Sequence, residues 1–319
     1  MIERLADSDL HALVEEFFRS SFSTDNPLIT EAVRRMLAAG GKRLRPRLTL
    51  LAAESCGGTA REHLELAAYM ELIHVATLIH DDVVDQAATR RGVNSTATDF
   101  GNRVSVLAGD YLFAWIFKNV TARYDPPIPH ILSATLAAIC DGEVLQLRAM
   151  GRLDLTIDEY TDVVAKKTAS LFAASAECGA HAVGAGPASV DALRTFGTEY
   201  GIAFQMIDDL LDMTADETTV GKPVGNDLRE RKVTIPLIFA LQSGDAHLRD
   251  DVRAFFADGD ERREAIARIA TGIQQSGALT ATRTAVAEHA ERAVAALAPL
   301  AGGPARAELE RLAKALTLA

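Results

Sequence analysis

The chain has 319 residues, of which 48% are apolar and 24% charged, and its formal net charge is −11. That balance suits a folded protein with a sizeable core and excludes a disordered one. The acidic surplus gives no basic footprint for nucleic acid, so a bound anion must meet local clusters of cations. Cys56, Cys140 and Cys178 leave an odd count without zinc-type spacing, which points to a reducing cytoplasm rather than a secreted disulfide scaffold.

The first residues, Met1-Ile2-Glu3-Arg4-Leu5-Ala6-Asp7, break apolar residues with charge. No later stretch reads as an uncharged apolar run of membrane-spanning length. We expect a soluble chain with no transmembrane segment, compatible with contact at a membrane surface. Ala, Leu, Glu and Arg dominate, with apolar residues at three- and four-residue spacing and almost no alternating β-branched runs. The expected fold class is all-α. Because no linker-like composition or short repeat divides residues 1–319, a single domain is expected.

Gly40-Gly41-Lys42-Arg43-Leu44-Arg45-Pro46 sets two glycines before three cations and should open a helix at or near Pro46. Exposed amides and a helix N-terminus there both favour an anion. The next helix carries His74, Ala76 and Thr77 and reaches Asp81, Asp82 and Asp85. Positions i and i+4 share a helix face and i+1 lies about 100° away, so Asp81 and Asp85 project together with Asp82 at their flank. Arg90-Arg91-Gly92 follows at once. Further on come Lys166-Lys167-Thr168, and then Gln205 leads into Asp208, Asp209 and Asp212. The second cluster repeats the spacing of the first, so the two segments are expected to be equivalent helices facing each other. Lys222, Asp227 and Lys232 lie in the loop that follows.

Apolar turns precede both clusters, and burying unpartnered carboxylates is expensive. One such cluster could be an exposed helix end; two in apolar helices point to a site. Carboxylates without nearby histidine or thiolate suit hard cations, and magnesium characteristically joins carboxylates to substrate phosphates. Six aspartates with an ionised diphosphate would carry about −9, which about three divalent ions would offset by about +6.

The order and spacing of Gly-Gly-Lys-Arg-Leu-Arg-Pro, His74, Asp81-Asp82-Val-Val-Asp85, Arg90-Arg91-Gly92, Lys167-Thr168, Phe204-Gln205, Asp208-Asp209-Leu-Leu-Asp212 and Gly221-Lys222-Pro223 resemble the trans-isoprenyl diphosphate synthase (polyprenyl synthetase) family. The resemblance spans about residues 40 to 240. It implies a single-domain bundle of long helices around a deep central cavity, usually as a homodimer. It also implies that isopentenyl diphosphate is condensed head to tail with an allylic diphosphate, with about three Mg2+ per active site.

By position, the resemblance assigns the metals to Asp81, Asp82, Asp85, Asp208 and Asp212, with Asp209 in support. Arg90, Lys167, Lys222 and Lys232 would neutralise the allylic diphosphate. Gly41, Lys42, Arg45, His74 and Arg91 would hold isopentenyl diphosphate. Thr168 and Gln205 would border the reacting carbons. Relatives with short products carry large aromatics at the positions of Ala76 and Thr77, so these small residues imply a medium- or long-chain polyprenyl product. A geranylgeranyl or farnesyl diphosphate synthase, or the catalytic subunit of a two-component synthase, is the alternative. Asn94 stands near a usual proline, Arg231 where glycine is common, and the C-terminus lacks a closing arginine.

A terpene cyclase or a head-to-head synthase is disfavoured, because the second cluster is all aspartate and isopentenyl-site cations are present. A purely structural helical protein leaves the buried aspartates unexplained.

Overall fold

In the computed structural model, residues 7–214, 225–258 and 263–318 are described. The elements in chain order are α1 (Asp7–Ser21), α2 (Pro27–Ala38), α3 (Leu44–Ser55), a 3-10 turn (Ala60–His63) and α4 (Leu64–Val84). A hairpin, β1 (Thr89–Arg90) and β2 (Val93–Asn94), precedes α5 (Thr96–Phe100), α6 (Asn102–Arg123), α7 (Ile128–Ala149) and α8 (Ile157–Val164). A π-turn (Ala165–Ala169) leads to α9 (Ser170–Ala182) and α10 (Pro187–Thr214). The rest is α11 (Asn226–Arg229), α12 (Ile235–Gln242), α13 (Ala246–Asp258), α14 (Arg263–Gln275), α15 (Ala278–Ala296), α16 (Pro304–Ala315) and a 3-10 turn (Leu316–Leu318). The fold is all-α, as expected. The short antiparallel hairpin, pairing Thr89 with Asn94 and Arg90 with Val93, is a local exception.

Contacts group the chain into two compact units. The first takes Met1–Ala134, Leu171–Arg194 and Ala298–Leu309; the second takes Thr135–Ser170, Thr195–Leu297 and Glu310–Ala319.

In the first unit α4 packs against α3 and α6. Every residue from Leu66 to Ile73 is buried, the pattern of a helix enclosed on all sides rather than one with a wet face. Each large aliphatic side chain so enclosed contributes about 1.5–3 kcal/mol relative to exposure. Glu71 lies in this run and is balanced by Arg43, whose Nη1 donates to Oε1 at 2.6 Å while Nη2 donates to the Leu37 carbonyl at 2.8 Å. The helix after the glycine pair opens at Leu44, in accord with an expected start at or near Pro46. Pro46 is tolerated because first-turn amides have no intrahelical partner to lose. Arg43 caps the helix in the left-handed region (φ 47°).

In the second unit the core brings α8, the buried face of α10, α12 and α15 around residues such as Met206, Leu210, Ile238 and Val286. A capping box fixes the start of α8: Thr156 Oγ1 accepts from the Glu159 amide at 3.2 Å, and Glu159 Oε2 accepts from the Thr156 amide at 2.9 Å.

Helix α7 bears on the expected lack of an uncharged membrane-spanning run. Among the described residues it is one helix long and apolar enough, by length and composition, to cross a membrane, and 22% of its most apolar window is buried. It carries Asp141, Glu143 and Arg148 toward its C-terminal end, so it is not an uncharged run. Val144 and Leu147, three apart and exposed, share one face with Met150 beyond them.

Candidate active site

Asp81 and Asp82 lie in the last turn of α4, and Asp85 is its C-cap, with its amide donating to the Asp81 carbonyl at 2.8 Å. Asp208, Asp209 and Asp212 fall in the last two turns of α10. Both clusters therefore stand at helix C-termini, where backbone carbonyls already present partial negative charge, and neither helix has a basic residue in its last turn. Such an arrangement favours external cations.

The members of each cluster are not equivalent. Asp82 is fully buried, and Oδ1 accepts from both Nε and Nη2 of Arg90 at 2.7 Å. Its Oδ2 is buried with no hydrogen bond among the described residues. Burial raises the Asp82 pKa, opposed by Arg90. Asp81 and Asp85 keep partial contact with solvent, and Asp208 is exposed.

Asp209, 4% exposed, accepts from Tyr160 Oη at 2.5 Å and from Gln205 Nε2 at 2.9 Å. Gln205 Oε1 in turn accepts from Thr168 Oγ1 at 2.9 Å. Burial pushes the Asp209 pKa up to about 7 against the lowering effect of those two donors, with Asp208 and Asp212 adding to the rise. Asp212 accepts the amides of Asn226 at 3.2 Å and Asp227 at 3.1 Å, so the cluster also ties the end of α10 to the start of α11. Asp227 has its pKa raised by burial and by Asp212 and Asp209, with Lys232 opposing. The Lys232 ammonium lies 2.6 Å from Glu230. Lys222 lies outside the described residues.

Around α4 the predicted cations gather. A Cβ on Gly41 would sit 2.8 Å from Arg91 Nη1, and its φ of 143° disfavours a side chain, so glycine is required beside that guanidinium. Arg91 and Gly92 form the hairpin turn with φ values of 51° and 80°, the two-residue turn with both central residues left-handed. Arg45 lies over the Phe172 ring at 4.4 Å. His74, partly buried, has its pKa held well below the ordinary value by desolvation, then by Arg45, Arg91, Arg43 and Arg90, so it is neutral at physiological pH. Lys42 stands exposed on the turn. Gly41, Arg45, His74 and Arg91 are thus brought together in the first unit, and Lys167, Thr168, Gln205 and Asp209 in the second.

The sequence did not announce four supporting residues. Glu71 and Arg43 lock the basic turn from within. His80 docks the end of α4 on α6, its Nε2 lying 3.1 Å from the Val106 carbonyl, and a Cβ on Gly109 would fall 2.3 Å from that ring nitrogen. Tyr160 carries no local signal. Ala76 is fully buried, and Thr77, half-buried, donates to the His74 carbonyl at 2.8 Å.

Among the described residues no three His, Cys, Asp or Glu side chains enclose a metal site on their own. Magnesium keeps several waters and uses one or two carboxylates plus substrate phosphates, so Asp81 and Asp85 in the first cluster, partly exposed, and Asp208 in the second, exposed, each offer oxygens of the kind it takes.

An all-α enzyme fold with two aspartate-rich helix ends defines the class of protein. The chain matches the polyprenyl synthetase family over residues 26–273, and it belongs to that family. It is 36% identical to octaprenyl diphosphate synthase of Escherichia coli, over 98% of this chain and 96% of the relative. The crystal structure of a decaprenyl diphosphate synthase from Rhodobacter capsulatus superposes with a TM-score of 0.90 at 40% identity, covering 98% of this chain and 96% of that one. A polyprenyl synthase from Caulobacter crescentus, solved with calcium and isoprenyl diphosphate, gives a TM-score of 0.90 at 36% identity over 97% of this chain and 93% of that one.

Proposed function

We propose that the chain is a head-to-tail trans-prenyltransferase that extends an allylic diphosphate with isopentenyl diphosphate to a medium- or long-chain polyprenyl diphosphate. The observation that carries this reading is the pair of carboxylate clusters at two helix C-termini, accompanied by the cation group around His74, in a chain similar over nearly its whole length to octaprenyl and decaprenyl synthases. The same coverage supports treating residues 1–319 as one functional domain.

Asp81, Asp82, Asp85, Asp208 and Asp212 would hold about three Mg2+ with the allylic diphosphate, and Asp209 supports them from its buried position. Magnesium, when bound, draws charge off the leaving group. Arg90, Lys167 and Lys232, with Lys222, neutralise the allylic diphosphate. Lys42, Arg45 and Arg91 grip isopentenyl diphosphate, with the Gly41 backbone allowing close approach and neutral His74 available for a hydrogen bond that adds no charge. Thr168 and Gln205, held in one hydrogen-bonded chain with Asp209, border the reacting carbons. The allylic C–O bond breaks, the isopentenyl double bond attacks the allylic cation, and a proton leaves, for which the released diphosphate is a fitting base. The deep cavity that the family resemblance implies would have to keep water from quenching the cation.

Exposed Leu107 and Tyr111, four apart on α6, and the apolar face of α7 support a homodimer. Free Cys56, Cys140 and Cys178 accord with a reducing cytoplasm. Product release at a membrane surface suits a long apolar tail.

The test is to incubate the purified chain with magnesium, labelled isopentenyl diphosphate and, separately, geranyl, farnesyl and geranylgeranyl diphosphate, and to size the products. Products longer than geranylgeranyl are expected. No incorporation with any primer overturns the activity, and arrest at geranylgeranyl overturns the assigned length. Turnover by the chain alone also separates a self-sufficient enzyme from one subunit of a pair.

A further inference from the structure

Helix α7 passes the π-turn at a glycine. A Cβ on Gly142 would lie 2.5 Å from the Lys167 amide nitrogen and 2.9 Å from its Cα, so any side chain there would push the turn away. The next residue, Glu143, meets the Lys167 ammonium through Oε2, and the two side chains are only 15% and 19% exposed. Both Glu143 oxygens are sealed from solvent and have no hydrogen bond among the described residues. A carboxylate so placed is costly unless an opposite charge stands against it, and Lys167 supplies that charge. The neighbouring Lys166 does not compete, because it pairs outward with Asp162 at 2.8 Å. The widened turn sends Lys167 to α7 while Thr168 reaches Gln205.

We infer that Glu143 is a positioning residue for the allylic diphosphate: its carboxylate fixes the Lys167 ammonium, and Gly142 permits the approach that makes the contact. The inference rests on the allylic role assigned to Lys167 above. A lysine ammonium on a four-carbon stem has many positions and three donors. Held by Glu143, it occupies one position and keeps donors to offer an incoming diphosphate. Without Glu143 the same charge remains in the site but is no longer aimed, so the loss should fall on the allylic substrate.

The experiment compares the full-length parent with Glu143→Gln, Lys167→Met and the double variant, varying allylic and isopentenyl diphosphate separately. For Glu143→Gln the expected result is a roughly tenfold to hundredfold lower kcat/KM for the allylic substrate, with the apparent KM for isopentenyl diphosphate within about twofold of the parent. In the Lys167→Met background, adding Glu143→Gln should cost no more than about threefold, since the two act as one unit. Glu143→Asp keeps the charge but draws it back by one methylene, and should show the same selectivity with a smaller loss. Parent-like kinetics in both Glu143 variants overturn the inference. So does an equal loss for both substrates, or a full repeat of the loss in the Lys167→Met background. A parent chain that makes no product defeats the proposed function instead, so the two failures are distinguishable.

Discussion

Tyr160 and Asp209, 49 residues apart in sequence, are joined by a hydrogen bond of 2.5 Å in the core of the second unit. The phenol is the partner that allows a carboxylate to be buried at the second aspartate cluster. Tyr160→Phe leaves Asp209 with Gln205 as its remaining side-chain donor and is expected to cost about 1–3 kcal/mol of stability. The magnesium concentration for half-maximal turnover should rise as well. A thermal melt and a magnesium titration check this, and an unchanged melt would remove the bond's importance.

Asp81→Ala and Asp208→Ala should each lower turnover by roughly a thousandfold or more, several kcal/mol in the barrier, with helical content intact. Chelator should act in the same direction, and added magnesium should restore activity. Near-normal turnover by either variant refutes the metal assignment.

Lys42→Ala and Arg45→Ala should raise the apparent KM for isopentenyl diphosphate by roughly tenfold or more while sparing the allylic substrate. Exposed Lys42 gives the cleaner comparison, because Arg45 also loses its contact with Phe172, worth about 0.5–2 kcal/mol. Equal effects on the two substrates would refute the division of labour.

The residues that were legible share a physical reason: their meaning is local. Two aspartates four apart, glycines before a helix, and a doubled Asp-Asp-x-x-Asp can be read within one or two turns of chain. Even a departure was legible. Arg231, standing where glycine is common, has φ 56°, a conformation that costs a side-chain-bearing residue about 1–2 kcal/mol. What stayed hidden depends on distant partners. Arg43 counted as one of three cations after the glycine pair, but Glu71, 28 residues away, draws it inside. Glu143 drew no attention in the sequence because its partner, Lys167, comes 24 residues later.

Product length depends on space beside the end of α4. Ile73 and Tyr69 are packed on all sides, Tyr69 edge-on to Phe17 at 5.5 Å and to Trp115 at 5.9 Å. Half-buried Thr77, three residues before His80 on the same face, and Phe113, 5.7 Å from His80, leave the more open side. Thr77→Phe should therefore shorten the products. Ala76→Phe should do so too, at about 1–3 kcal/mol from overpacking a fully buried site. Product sizing, paired with a melt, decides it, and a folded, active Thr77→Phe enzyme with parental products would refute the path.

Glu199 gives a pH test away from the site. Burial acts to raise its pKa, but hydrogen bonds with His289 at 2.7 Å and from Arg292 at 2.9 Å outweigh it, and the net shift is downward. A carboxyl that ionises more readily folded than unfolded stabilises above the unfolded pKa, and this is lost as pH falls through the folded value. Glu199→Gln should cost about 1–2 kcal/mol near neutrality, with the gap to the parent closing in acid below the carboxylate range. Melts across that range check the sign. A gap that widens in acid contradicts it.

The π-turn at Ala165–Ala169 bears on how this chain tolerates a change of length. Such a turn holds one residue more than the α-helical path it replaces, so removing a residue there restores a regular helix and keeps the flanking helices in phase. The same deletion within α4 would rotate everything beyond it by about 100° and scatter its enclosed face. Residues 165–169 are thus a site where a one-residue gap spares the fold and changes the chemistry, by moving Lys167 off Glu143 and Thr168 off Gln205. Here the number of residues, as much as their identity, sets what the helix presents.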